Sequence, residues 1–206
     1  MGKNIRKRAS VQCNGDFISL KGEQWWSILY STTSIKEISI FTENNLVGKS
    51  LIECLDKSKE LTNEEWDKMF GTDYQGYLNT SDPKMSAHNA ALIQKYNYSD
   101  RNALYKNMMD CPIEIKNDLM TIDIYNHTKL DIWEGSGDSI QISASAPPEI
   151  IGAAVRYAFS RCRGKGPYAK GAEIVTKALF PNGAPDSLEK YLESVDKDYK
   201  KWLIAG

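Results

Sequence analysis

Histidine is nearly absent from this chain: His88 and His127 are the only two in 206 residues. Neither sits in the close Cys, His or Asp cluster that a zinc site needs, so no metal ion or other cofactor is expected. There is no Gly-x-Ser-x-Gly and no His-Glu-x-x-His, which leaves no recognisable catalytic motif and no catalytic residue to name. Charge of one sign is also missing. The 26 Lys and Arg nearly balance 27 Asp and Glu, for a net charge of −1, so nothing marks the whole chain for nucleic acid or an acidic membrane. No apolar run approaches the ~18 residues of a membrane-spanning helix. Lys3, Arg6, Lys7 and Arg8 charge the N-terminus without an apolar stretch behind them, so no secretory signal is expected. The four cysteines (Cys13, Cys54, Cys111 and Cys162) are too scattered for a disulfide framework and suggest a reduced, cytoplasmic protein. In such a protein the sequons at Asn79, Asn97 and Asn126 are chance matches.

What is present is a repeat. Residues 44–59 (NNLVGKSLIECLDKSK) and 148–163 (PEIIGAAVRYAFSRCR) align at an offset of 104. Val47, Gly48, Leu51 and Leu55 match Ile151, Gly152, Val155 and Phe159. Apolar residues at i, i+4 and i+8 form one face of a helix, extended by Cys54 and Ala158. Each copy follows strand-like alternation. In the first, Val11/Cys13 and Ile18/Leu20 flank the Asn14-Gly15-Asp16 turn, then come Trp26/Ile28/Tyr30 and Ile38/Ile40. In the second, the pairs are Ile113/Ile115, Ile122/Ile124, Leu130/Ile132 and Ile140/Ile142, with separators at Asn126-His127-Thr128 and Gly135-Ser136-Gly137.

Between the copies the pattern turns helical. Thr62 and Glu65 have the capping-box form ahead of Trp66, Met69 and Phe70. Two short helices follow, at 85–96 and 100–109. Asp186 or Ser187 caps a last helix. The expected fold is α+β: two antiparallel sheet-plus-helix units with a helical insert and C-terminal helices. The expected boundaries are 1–61, 62–109, 110–166 and 167–206, within one compact domain.

Three stretches invite a functional reading. Gly48-Lys49-Ser50 has the end of a P-loop, but Glu43 stands where the motif needs glycine and would repel phosphate. The two glycines instead suggest close packing of each helix on its own sheet. Arg156, Arg161, Arg163, Lys165 and Lys170 form a basic cluster that could hold phosphates. Its plain alternative is a solvated helix end suited to the helix dipole. Residues 110–150 carry eight acids against two lysines. Alternation places Asp123, Tyr125, Asp131 and Trp133 on one face, with Glu134 beside them. Acids around a large aromatic suit a surface for a basic protein partner. The competing reading is a solubilising face with Trp133 covered by the insert or the last helix.

The paired strands followed by Ile-Gly-Ala-Ala-Val-Arg-Tyr-Ala-Phe-Ser-Arg-Cys-Arg (151–163) resemble immunity proteins of bacterial contact-dependent growth inhibition systems. Residues 46–59, LVGKSLIECLDKSK, look like the same motif. The resemblance covers the two sheet-plus-helix units and not the insert or the last helix. It implies a cytoplasmic, non-enzymatic protein that neutralises a cognate toxin domain by stoichiometric binding. Such toxins are commonly nucleases with basic grooves, which fits the acidic face. Asp123, Tyr125, Asp131, Trp133 and Glu134 are the expected partner-binding residues. The alternatives are a nucleic-acid-binding protein using the basic cluster, which the neutral overall charge makes the weaker reading, and a small hydrolase using unrecognised carboxylates.

Overall fold

Period-two alternation sends Ala9, Val11 and Cys13 to one side of the first strand, and Arg8, Ser10 and Gln12 to the other. That split organises the whole molecule. The computed structural model describes residues 6–27, 29–71 and 82–204. The first half runs β1 (Arg6–Cys13), β2 (Phe17–Trp26), β3 (Leu29–Ser39), α1 (Asn44–Asp56) and β4 (Lys59–Glu60). The insert contributes α2 (Asn63–Phe70), α3 (Pro83–Tyr96) and α4 (Arg101–Tyr105). The second half runs β5 (Met109–Lys116), β6 (Leu119–Lys129), β7 (Ile132–Ser143), α5 (Pro148–Arg161) and β8 (Arg163–Gly164). α6 (Ala169–Leu179), α7 (Leu188–Val195) and a 3-10 turn (Tyr199–Trp202) end the chain.

The strands form one sheet in the order β3-β2-β1-β5-β6-β7, antiparallel throughout, so the two units share a single sheet. The halves repeat one order of elements. After its helix, each adds a two-residue strand parallel to its own middle strand: β4 on β2, and β8 on β6. β1 and β5 meet at the centre, where Ala9 faces Ile113 and Val11 faces Cys111.

Both helices lie on one face and bury the predicted stripes: Val47, Leu51, Cys54 and Leu55, and Ile151, Val155, Ala158 and Phe159. Each such large apolar side chain contributes roughly 1.5–3 kcal/mol on burial. All four cysteines are buried and unbridged. The glycines act differently from the expectation. A Cβ on Gly48 would come within 1.9 Å of the Pro148 carbonyl oxygen, and one on Gly152 within 2.0 Å of the Asn44 carbonyl oxygen. The two glycines bring helix against helix, not helix against sheet. Asn45 donates to Glu149 at 3.1 Å across the same contact. Because α6 and α7 also pack on α5, residues Ile150 to Ser160 of that helix are all buried.

Several local expectations shift. Trp26 closes β2 instead of opening a strand, and the anticipated third and fourth strands are the single β3. Ile28 lies outside the described residues. Asn126-His127-Thr128 and Gly135-Ser136-Gly137 sit inside β6 and β7. Leu130 is in the turn between them, and Ile132 is 43% exposed. The phase slips because β6 and β7 shift register at Asp123/Tyr125 and again at His127/Lys129. The N-cap of α1 is Glu43, with no side-chain cap bond. The Thr62/Glu65 capping box forms as expected, and Ser187 caps α7. Of the three sequons, Asn79 lies outside the described residues.

The candidate cleft

The helix-free face of the sheet is covered only in part. At one end Phe17, Leu92, Leu104, Tyr105 and Met108 form a second small core between the sheet and the insert. Beyond it the sheet opens. The β5–β6 ladder stops at Ile113 and Ile122, next to Pro112, whose nitrogen has no hydrogen to donate. β6 continues beside β7 alone. The register also shifts at Gly22/Glu23 in β2, matching the shift at Asp123/Tyr125 in β6. Bulges increase local twist and re-aim side chains. The result is a cleft of about 590 Å³ with a floor drawn from β1, β2, β5 and β6.

Four of the five residues picked from the sequence line this cleft: Asp123, Tyr125, Asp131 and Trp133. The fifth, Glu134, is exposed elsewhere and pairs with Lys165 at 3.4 Å. Asp131 stands at the rim, 3.2 Å from Arg101. Trp133 is half-buried and structurally committed. Its indole N–H donates to the Met108 carbonyl at 2.8 Å, and its ring stands 5.7 Å from Tyr105 and 5.1 Å from His127. The ring is thus covered in part by the insert and in part open to the cleft. His127 is fully buried, between Trp133 and Tyr168. Burial lowers its pKa, and its Nε2 lies 3.1 Å from the Leu130 carbonyl.

The sequence reading missed the other half of the floor. Arg8, Ser10, Gln12, Lys21, Glu23 and Asp110 line it as well. A signal was present, since Lys21 and Glu23 stand in phase opposite Ile18 and Leu20 on β2. Lys21 is 9% exposed and makes no hydrogen bond or ion pair among the described residues. Burial lowers its pKa, while Asp110 and Glu23 act against that. Glu23 is half-buried, and burial pushes its carboxyl up to about 7 despite the attraction of Lys21. Asp110 is raised by burial too, and accepts from the Ser10 hydroxyl at 2.6 Å. Asp123 is raised by burial alone. The Tyr125 phenol is raised first by burial, then by Asp123 and Asp110. Arg8 is otherwise engaged, 5.3 Å over the Trp25 ring and 3.8 Å from Glu114, which also pairs with Arg6.

This arrangement can receive hydrogen-bond donors and positive charge. Among the described residues no group of three His, Cys, Asp or Glu is placed to hold a metal ion. None of their helices is long and apolar enough to cross a membrane. Of the basic cluster, Arg161, Arg163, Lys165 and Lys170 are exposed, and Arg156 is not part of that surface. Arg156 is buried, and its guanidinium donates to the Ile40 and Thr42 carbonyls. Arg163 donates to the Ser160 and Cys162 carbonyls at the end of α5.

Known proteins resemble the chain at the levels of sequence and fold. Over 77 residues it is 39% identical to the immunity protein CdiI-YPIII of Yersinia pseudotuberculosis serotype O:3, a match spanning 35% of this chain and 44% of that one. A Neisseria meningitidis protein of unknown function superposes with a TM-score of 0.66 at 24% identity, covering 79% of this chain and 99% of the other. A toxin and immunity complex from Yersinia pseudotuberculosis contains a chain that superposes with a TM-score of 0.64 at 22% identity, covering 77% and 98%. At such identities the superpositions speak for the fold. The model of the CDI (contact-dependent growth inhibition) immunity protein family matches residues 7–162, from the first strand through the end of α5, and the protein belongs to that family.

Proposed function

We propose that the protein neutralises a cognate toxin domain by binding it stoichiometrically in the cytoplasm, without catalysis, and that the toxin docks on the cleft. Asp123, Tyr125 and Asp131 contribute contacts, and Trp133 forms part of the wall. The observation that carries this reading is the state of the floor. Lys21, Glu23, Asp123 and Tyr125 face one cavity with no hydrogen-bond partner among the described residues. Lys21 is buried and the other three are half-buried, so polar groups left without a protein partner line a cavity that is open to a ligand able to pair with them. Carboxylates with raised pKa gain most from an approaching cation. The toxin is accordingly a basic domain, and a nuclease groove has that character.

The test uses the toxin domain encoded beside this protein. Asp123→Lys should slow association at least about tenfold and flatten its dependence on salt, because steering by complementary charge acts on the on-rate. The melting transition should be retained, since the Asp123 carboxylate holds no hydrogen bond in the fold. Unchanged association kinetics in a folded Asp123→Lys protein would remove the cleft from the interface. A nuclease assay on the toxin domain, with and without one equivalent of this protein, tests the activity that is blocked.

A further inference from the structure

The reading above leaves open what the partner inserts, and the following inference rests on it. We propose that the cleft floor is a socket for a single arginine side chain of the bound partner. The guanidinium sits among Glu23, Asp110 and Asp123, and a neutral carbonyl of the same partner segment accepts from Lys21.

The argument begins with Lys21. Lys21 is about nine-tenths buried as a residue, lines the cavity and has no hydrogen-bond partner among the described residues. Its ammonium is open to an acceptor that enters the cavity, and the described residues supply none. A carboxylate from the partner would be a poor one. Glu23 and Asp110 already act on Lys21 electrostatically without touching it, and a third negative charge would meet their repulsion. A main-chain or amide carbonyl satisfies the ammonium without adding charge.

The carboxylates define the rest. Glu23 comes from β2, Asp110 from β5 and Asp123 from β6. All three acids line the one cleft. Asp110 adds to the cost of ionising Glu23, and the Tyr125 phenol feels Asp123, Asp110 and Glu23. Arg8 attracts Glu23 from a distance but is held over Trp25 and beside Glu114, and it makes no ion pair with the three acids among the described residues. A single ligand able to donate in several directions fits best. Guanidinium offers five N–H donors in a planar fork and loses its water more readily than an ammonium. Its flat face can also lie on the Tyr125 ring. Lysine, a strongly hydrated point charge with three donors, suits the space less well.

The probe is N-acetyl-argininamide, which carries one guanidinium and two neutral carbonyls. It is titrated into the full chain labelled with nitrogen-15. Saturable amide shifts are expected at Ser10, Lys21, Glu23, Asp110 and Asp123, with a millimolar dissociation constant. The neutral isostere N-acetyl-citrullinamide should bind at least about tenfold more weakly, and N-acetyl-lysinamide should be intermediate. N-acetyl-arginine, whose free carboxylate replaces the amide, should bind more weakly than the amide. The combined variant Glu23→Gln/Asp123→Asn should lose at least about tenfold in affinity while keeping a dispersed spectrum. Non-saturable shifts, equal binding of the citrulline compound, or shifts confined to another face would overturn the proposal. Tighter binding of the carboxylate form would overturn the carbonyl at Lys21.

The toxin domain separates this proposal from the one beneath it. Toxin affinity lost in the double variant, with no argininamide binding to the native chain, ends the socket and leaves the docking site standing. Argininamide bound in the cleft, with toxin affinity untouched by the double variant, keeps the socket and ends the docking site.

Discussion

Glu23 should make the folded protein less stable as pH rises, and replacing it with glutamine should remove that loss. Its carboxyl has an ordinary pKa of 4.5 and is pushed up to about 7 in the fold, mainly by burial. Below pH 4.5 both the folded and unfolded chains carry the proton, and Glu23 adds no pH dependence. Between 4.5 and 7 the unfolded chain releases the proton while the folded chain retains it, so stability falls as pH rises. Above 7 the full deficit applies. At ~1.4 kcal/mol per pH unit, a window of that width sets a ceiling of about 3 kcal/mol. Solvent access to a half-buried side chain brings the expected value nearer 1–2 kcal/mol. Glutamine keeps the shape and discards the charge. Glu23→Gln should therefore match the native protein at pH 4.5 and exceed it by about 1–2 kcal/mol at pH 8. Urea unfolding followed by fluorescence, at several pH values between 4.5 and 8, gives both curves. The urea slope should be unchanged, since the same surface is exposed. A variant less stable than the native protein at pH 8 refutes the reasoning. The attraction of Lys21 and Arg8 for the Glu23 carboxylate would then exceed the cost of burying it.

Three further outcomes follow from the packing. Gly152→Ala drives a methyl into the Asn44 carbonyl, a backbone atom that no rotamer change can move aside. Thermal melting should show at least about 1–3 kcal/mol of destabilisation, the usual cost of overpacking. His127→Ala empties a fully buried site between Trp133 and Tyr168. It should cost about 2–4 kcal/mol, as other large-to-small core changes do, while the folded fraction keeps its toxin affinity. Trp133→Ala removes the bond to Met108 and the contact with Tyr105. It should lower the melting temperature by several degrees and weaken toxin binding together, so calorimetry and binding have to be read as a pair.

The parts of the fold that sequence revealed are those where one local rule governs each residue. The helix stripes at Val47/Leu51/Leu55 and Ile151/Val155/Phe159, the Thr62 capping box and the core alternation of Ile113, Ile122 and Ile142 all appear where periodicity placed them. Errors began where tertiary contacts override local pattern. Gly48 and Gly152 read equally well as helix-to-sheet or helix-to-helix glycines, because a missing Cβ does not name its neighbour. Arg156 looked like part of a basic surface, yet its helix is enclosed on every side and its guanidinium holds the loop after β3. The register shifts in β2 and β6 leave no mark in hydrophobic pattern, and they decide which side chains share the cleft. Asp123 and Tyr125 were found from charge bias within one segment. Lys21 and Glu23 belong to a segment without that bias. Only the pairing of β1 with β5 brings the two sets together.

The two halves are built alike, and the insert is what makes them differ. Each half offers a three-stranded meander and a helix, and the helices meet through matching glycines. That shared helical layer packs on one face of the sheet and buries the main core there. On the other face the insert packs on the end carrying Phe17, Trp133 and Met108 and bonds to β2 and β3 through His88, Asp82 and Lys84. The remaining floor keeps three carboxylates with raised pKa, a buried lysine and a tyrosine, none optimised for stability. Replacing such groups with apolar ones of similar volume is often neutral or stabilising, so their presence is not explained by folding. The proposed docking of a partner in the cleft would account for them. On that proposal the recognition site lies beside the central β1–β5 pair, with Lys21 and Glu23 from one half and Asp110 and Asp123 from the other. On this arrangement, affinity for the partner and a deficit in the stability of the isolated protein arise from the same few side chains.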